Sequence, residues 1–348
     1  MGDRIRSLIW PLIGIVAVLW STRLLYLKLK AEAATDPAAL AKLDQGGLIG
    51  NIGVIARVIG GRISEIEPAA MALAVASAVL AYLALAWYDK IALMHLGRDK
   101  GISFPYVALT AFVTYALAHN IGASVVSGGA VRYRAYTAKG LSGAEVAILV
   151  TLCTLTFLFA TALMLGLALV LAPDLLAPLT RLSHWFAVSD LTARLVGLGL
   201  LALSAAYAAG AFLGLKPLKL KGALVAYPSP RIVALQAVFA PLEIMGAAGI
   251  IYFALPQAGH PGFFLVLGAF LLSFSAGLIS QVPGGVGVME VVFLALMPHV
   301  PASAVFAALL VWRLLYLIVP LMVAIPVVLL FERARYKAGR AAGMAAKS

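Results

Sequence analysis

The chain has 348 residues, 63% hydrophobic and only 11% charged, which excludes an ordinary soluble domain and reads as an integral membrane protein. Its 26 Lys and Arg outnumber 14 Asp and Glu for a net charge of +12; in a membrane chain such an excess belongs to cytoplasmic loops and anionic lipid, so no nucleic-acid partner is expected. One cysteine, Cys153, excludes an intrachain disulfide and a multi-cysteine metal site, and neither a cofactor nor a metal is predicted.

Apolar runs long enough to cross a bilayer, about 20 residues each, lie at about 8–27, 68–88, 143–172, 195–215, 232–255 and 302–331. The first follows a basic start and is trailed by Ala31 and Ala33, in the manner of a signal peptide. It is too long for a signal core, however, and Lys28 and Lys30 crowd the cleavage position, so it is read as a membrane helix. Residues 28–67 carry balanced charges and the periodic stretch LIGNIGVIARVIGGRI, which predicts an amphipathic interfacial segment.

Two further runs begin at Phe104 and Pro261, and each continues into a glycine pair and a shorter second helical piece, at about 104–140 and 261–300. If both crossed fully, the loop Lys and Arg would divide evenly between the two faces. If both return as re-entrant hairpins, 17 fall on one face and 7 on the other. The positive-inside rule therefore predicts an all-α polytopic fold of six transmembrane helices and two re-entrant hairpins, with both termini cytoplasmic and residues 1–348 in a single membrane domain.

The two interrupted segments also match each other. Ser124, Val126, Gly128 and Gly129 align with Ser280, Val282, Gly284 and Gly285, and three crossings separate the hairpins, so they would enter from opposite faces as an inverted repeat. Paired interrupted helices of that kind point to a midplane binding site. Pro283 suits the first turn of a helix and the glycines admit a ligand close to the backbone. Ser127 is placed to cap the counterpart helix, and the two helix starts would present free N–H groups to an anion such as a phosphate.

Charges at membrane depth are candidates for function. Arg132 reads either as a phosphate clamp or as a cytoplasmic loop charge, and Arg134 leans to the loop. Glu290 and Arg313 read either as an ion pair with each other or as contacts to a cationic group and a phosphate; Glu243 reads as a partner in a helix contact. Tyr316 lies one turn beyond Arg313 and is a candidate cavity residue. His119, beside Asn120, is read as a packed hydrogen-bonded residue or, with Glu290, as a proton relay.

The stretches YDKIALMHLG (88–97), HNIGASVVSGGAVRYRAYTAKGLS (119–142), QVPGGVGVMEVVFLALMP (281–298) and WRLLYLIVPLMVA (312–324) resemble, in order, the transmembrane flippase region of the multiple peptide resistance factor family, bifunctional lysyl-phosphatidylglycerol synthases and flippases. The resemblance spans about residues 68–331. It implies movement of an aminoacylated phospholipid such as lysyl-phosphatidylglycerol from the inner to the outer leaflet of a bacterial inner membrane, which repels cationic antimicrobial peptides. Full-length relatives carry a soluble synthase domain; this chain ends soon after Arg340, so no synthase activity is expected of it. A membrane transferase acting on a lipid-linked substrate and a scaffold for a soluble aminoacyl-phospholipid synthase are the alternatives, and a homo-oligomer fits any of them. No nucleotide-binding motif accompanies the pattern, so energy coupling is not legible.

Overall fold

The structure, a computed structural model, describes residues 47–345 apart from 122–123, 181–188, 215–217, 221–222, 226, 257–258 and 281, together with a few isolated positions before 47. The predicted first span, 8–27, and most of 28–46 lie outside the described residues. What is described is helical except for a short antiparallel ribbon, β1 (Leu218–Leu220) and β2 (Ala223–Val225), in register Leu218 with Val225.

Helix α1 (Gly47–Ser64) presents Val54, Ile55 and Ile59 to Ala307, so its apolar face is covered by protein. Helix α2 (Pro68–His95) starts on a proline, whose missing N–H is no loss there. It is followed by α3 (Phe104–Ile121), α4 (Ser124–Thr137), α5 (Gly143–Leu171) and α6 (Asp190–Phe212). Ser142 and Glu145 form a reciprocal capping box at the start of α5, and Ser189 caps α6 by accepting from the Thr192 N–H. Helix α7 (Pro230–Ala254) crosses next; α8 (Phe263–Ile279), a 3-10 turn at Pro283–Gly285 and α9 (Val288–Leu296) make the second interrupted segment. Helix α10 (Ala302–Arg313) runs through a π-helical turn, Leu314–Ile318, into α11 (Val319–Ala345).

Among the described residues, five segments are long and apolar enough to cross a membrane: Pro68–His95, Gly143–Leu171, Asp190–Phe212, Pro230–Ala254 and Ala302–Phe331. These are the five expected spans beyond residue 28, each within a few residues except that α2 continues seven residues past the expected end at 88. The shorter interrupted segments fold back on themselves. In the first, the Tyr106 hydroxyl donates to the Ala135 carbonyl at 2.8 Å, and Gly128 packs beside Thr114 and Ala118, so α3 and α4 lie antiparallel.

Lipid gives helices no hydrophobic reason to associate, so they join where small residues let backbones approach. Helix α2 buries Ala70, Ala74, Ala78 and Ala81 at spacings of four, four and three residues, one continuous face. Gly246 of α7 meets it so closely that an added Cβ would lie 2.7 Å from the Ser77 carbonyl oxygen. Gly166 of α5 and Gly197 of α6 face each other in the same way, with added Cβ atoms 2.9 and 2.8 Å from the opposite carbonyls.

Gly246→Ala should therefore cost about 1–3 kcal/mol through overpacking. Gly199→Ala on α6, where an added Cβ meets nothing within 4 Å, should be neutral or slightly stabilising. Thermal unfolding of the two variants in detergent compares them directly.

Candidate functional site

The first hairpin brings Arg132 of α4 to Asp89 of α2. Arg132 Nη2 and Nε donate to Asp89 Oδ1 at 2.7 and 3.0 Å, and Nε also reaches Oδ2 at 3.2 Å. The Tyr136 hydroxyl donates to Oδ2 at 2.8 Å, the Cys153 thiol lies 3.6 Å from Oδ1, and the guanidinium sits 4.9 Å from the Tyr115 ring centre. Asp89 is fully buried and Arg132 nearly so, which is tolerable because every charge faces its opposite and further donors complete the carboxylate.

In the second hairpin, Gly284, Gly285 and Gly287 adopt φ of 60°, 61° and 81°, a region that disfavours any side chain. Those glycines turn the chain, so Pro283 lies in a separate 3-10 turn and the helix begins later, at Val288, with Gly287 as its cap. Glu290 accepts from the Gly287 N–H at 2.7 Å, so the protein's own carboxylate occupies part of the helix start expected to face an anion. Arg313 Nε donates to the other oxygen of Glu290 at 2.5 Å, and its Nη1 donates to the Gly284 carbonyl at 2.8 Å. One guanidinium thus holds both the turn and the helix behind it.

Between the two hairpins lies Glu243 of α7, beside Pro241. It accepts from the Tyr316 hydroxyl at 2.6 Å and from Tyr88 at 3.3 Å. Tyr316 belongs to the π-helical turn that follows Arg313. A π turn displaces its carbonyls from the α-helical ladder, and two here gain side-chain donors: Tyr82 to the Tyr316 carbonyl at 2.9 Å and Asn120 to the Leu317 carbonyl at 3.0 Å. His119 stacks on Tyr316 with ring centres 5.3 Å apart.

These groups surround a cavity of about 460 Å³. Ala118, His119 and Arg132 line it from the first hairpin; Gly277, Gly284, Gly285 and Met289 line it from the second. Tyr88, Cys153, Glu243 and Trp312 complete the wall from the spanning helices. His119 Nδ1 and Trp312 Nε1 are buried without a hydrogen-bond partner among the described residues. Such orphaned atoms in a polar-edged hollow are what a bound polar group or water would satisfy. Among the described residues, no three His, Cys, Asp or Glu side chains gather as a metal site.

Set against the expectations, Gly284, Gly285, Arg132 and His119 line the cavity, while Glu290, Arg313 and Tyr316 stand directly behind its wall. Gly128 is spent on the close approach of α3 and α4, and Gly129 faces open space. Helix α4 already begins at Ser124, which puts Ser127 inside its first turn rather than at the cap; the side chains of Ser127 and Pro283 lie outside what is described. Arg134 is exposed, away from the hollow. Two residues gain a role that sequence reasoning did not give them. Asp89 fell one position beyond the expected end of its span, and the continuation of α2 to His95 is what carries it into the interior. Glu243, taken as a helix contact, lines the cavity.

A multi-pass membrane bundle with a charged internal hollow is the class this architecture defines. Residues 48–324 match the family described as the lysylphosphatidylglycerol synthase TM region, and the chain belongs to that family. It is 32% identical over 278 residues to the inner membrane protein YbhN of Escherichia coli, covering 78% of this chain and 82% of that one. It is 31% identical over 245 residues to the uncharacterized protein slr0712 of Synechocystis sp., covering 69% and 72%.

Asp89→Asn should destabilise the protein by about 3–5 kcal/mol, because it strands a buried guanidinium. Adding Arg132→Met to that variant should recover part of the loss, a non-additivity that a double-mutant cycle on unfolding in mixed micelles would measure.

Proposed function

We propose that this protein is a lipid flippase of the inner membrane. In this reading two re-entrant hairpins enter a six-span bundle from opposite leaflets as an inverted repeat, and both termini are cytoplasmic. A phospholipid headgroup passes through the hollow between the hairpins while its acyl chains stay in lipid. The observation that carries the reading is the cavity of about 460 Å³ walled by both glycine-interrupted segments. Its size falls in the range of small-molecule sites, about 300–1,000 Å³, enough for a headgroup.

The family description, which names lysylphosphatidylglycerol, supports an aminoacylated phospholipid such as lysyl-phosphatidylglycerol as cargo. In this proposal the lipid moves outward and contributes to resistance against cationic antimicrobial peptides. That the Escherichia coli relative is an inner membrane protein supports the location. Gly284 and Gly285 shape the path, and Gly128 holds α3 against α4 beside it. Arg132 and Arg313 meet the headgroup phosphate by exchanging it for Asp89 and Glu290, a swap that keeps each guanidinium paired while it frees the carboxylates. Glu290, once released, is available to a cationic headgroup, and the basic loops lie against anionic lipid.

Purified protein in proteoliposomes, given a panel of anionic, zwitterionic and aminoacylated lipids, should move at least one class between leaflets. Gly284→Leu with Gly285→Leu imposes side chains at left-handed φ, and at Gly285 an added Cβ would come within 3.2 Å of Gly277 Cα. Translocation by that variant should fall by at least about tenfold, a barrier change of roughly 1.4 kcal/mol or more. Unchanged flipping by a folded double variant would remove the hairpin path from the mechanism.

A further inference from the structure

Besides Asp89, which Arg132 and Tyr136 hold, two buried carboxylates stand at or directly behind the cavity wall, and they are held differently. Both oxygens of Glu290 are engaged, one by the Arg313 cation and one by the Gly287 N–H. Glu243 accepts only from two neutral phenols, Tyr316 and Tyr88, and makes no ion pair with any described cation. It is 5% exposed and reaches the cavity wall. A charge without a counter-charge at such depth is expensive, whereas the same group carrying a proton is an uncharged hydrogen-bonding acid.

The surroundings fit a group that changes state. Helices α2, α5, α6, α8 and α10 pack against α7. Their titratable or charged groups nearby are Tyr82, Tyr88 and Asp89 of α2, Cys153 of α5, and Arg313 at the end of α10 with Tyr316 in the π turn beyond it; α8 carries none. From the hairpins come Tyr115, His119 and Arg132. Of these, Arg132 is committed to Asp89 and Arg313 to Glu290. Tyr207 of α6 turns instead to Gln236 at 3.0 Å.

We propose that Glu243 is the proton-binding site of this protein and that its protonation is coupled to lipid movement through Tyr316. The inference rests on the flippase reading and moves the proton from Glu290 to Glu243. As an anion, Glu243 holds the Tyr316 hydroxyl. On gaining a proton at Oε1 that oxygen becomes a donor, and the 2.6 Å contact reverses, with the Tyr316 hydroxyl now accepting. Tyr316 sits in the π turn directly after Arg313, and Arg313 holds the Gly284 carbonyl and Glu290. A proton at Glu243 therefore biases a short chain of contacts that ends on the turn of the second hairpin. The proton comes from one aqueous side and leaves to the other, with no other bond made or broken.

Two measurements on the full chain test it. In infrared difference spectra between acidic and alkaline pH, a protonated carboxylic-acid C=O band should appear, persist in Glu290→Gln, shift in Tyr316→Phe and vanish in Glu243→Gln. A band unaffected by Glu243→Gln overturns the site, whether or not any lipid moves. In proteoliposomes, a gradient of about one pH unit should change the final leaflet ratio about tenfold over protein-free vesicles if one proton accompanies each lipid. That response should be lost in Glu243→Gln and kept in Glu145→Gln, which lies in the exposed capping box. Translocation that ignores the gradient overturns the coupling and leaves the flippase reading standing. A chain that moves no lipid in the panel removes that reading and the coupling together, while the infrared result still decides the site.

Discussion

Inside a hydrocarbon layer no water completes a hydrogen bond, so each interruption of a helix obliges the protein to supply the missing partner itself. This chain interrupts its helices repeatedly, and side chains answer nearly every time. Arg313 takes the Gly284 carbonyl, Glu290 takes the Gly287 N–H, Tyr82 takes the Tyr316 carbonyl and Asn120 takes the Leu317 carbonyl. These side chains stand behind the cavity wall rather than in it, and three of the residues whose backbone or neighbours they hold, Gly284, Leu317 and His119, line the hollow. Structure and candidate site are therefore not separable here: a change in any of these polar residues exposes backbone as well as altering chemistry.

The repairs also tie distant segments together. Asn120 ends the long arm of the first hairpin, yet its partner lies in the π turn of the last span. His119 beside it stacks on Tyr316, and Tyr316 reaches Glu243 on α7. Arg313, one residue before the π turn, holds the second hairpin. The π turn between α10 and α11 is thus a junction on which both hairpins and α7 converge. An extra residue in a helical turn is costly in isolation and recurs where function needs a local change of register.

Much of this was legible in the amino-acid order. Long apolar runs located five spans because composition and length alone settle whether a helix can cross. The glycine pairs marked both interrupted segments for different reasons: Gly284 and Gly285 take positive φ at the turn, whereas Gly128 and Gly129 lie within α4, where Gly128 admits the close approach of α3. What escaped was set by tertiary contact. Asp89 looked like the first polar residue of a loop, and only the packing of α4 and α5 on the end of α2 makes that turn interior. Arg132 offered two readings from its neighbours in the chain, and the decisive partner is 43 residues away. Pro283 suggested a helix start, but three positive-φ glycines among the next four residues, Gly284, Gly285 and Gly287, spend that stretch on a turn. The role of Gly246 depends on the carbonyl of Ser77 on another helix and has no local signature.

Two kinds of contact hold the molecule, and the contrast bears on which parts can move. The helices α2 with α7, and α5 with α6, meet backbone to backbone at glycines, where even one added carbon would collide. Contacts of that kind permit little sliding, since close-packed surfaces rearrange in discrete steps rather than by drift. The hairpins, besides apolar packing, are fastened through charged pairs, Arg132 to Asp89 and Arg313 to Glu290. Replacing a buried pair by well-packed apolar groups is often neutral or stabilising. Stability by itself therefore gives no reason to keep two such pairs around one hollow. A pair can, however, release one partner and accept another of the same charge, which an apolar contact cannot do. Ionic fastening at the hairpins and glycine packing between the spans would then divide the protein into a moving part and a fixed one.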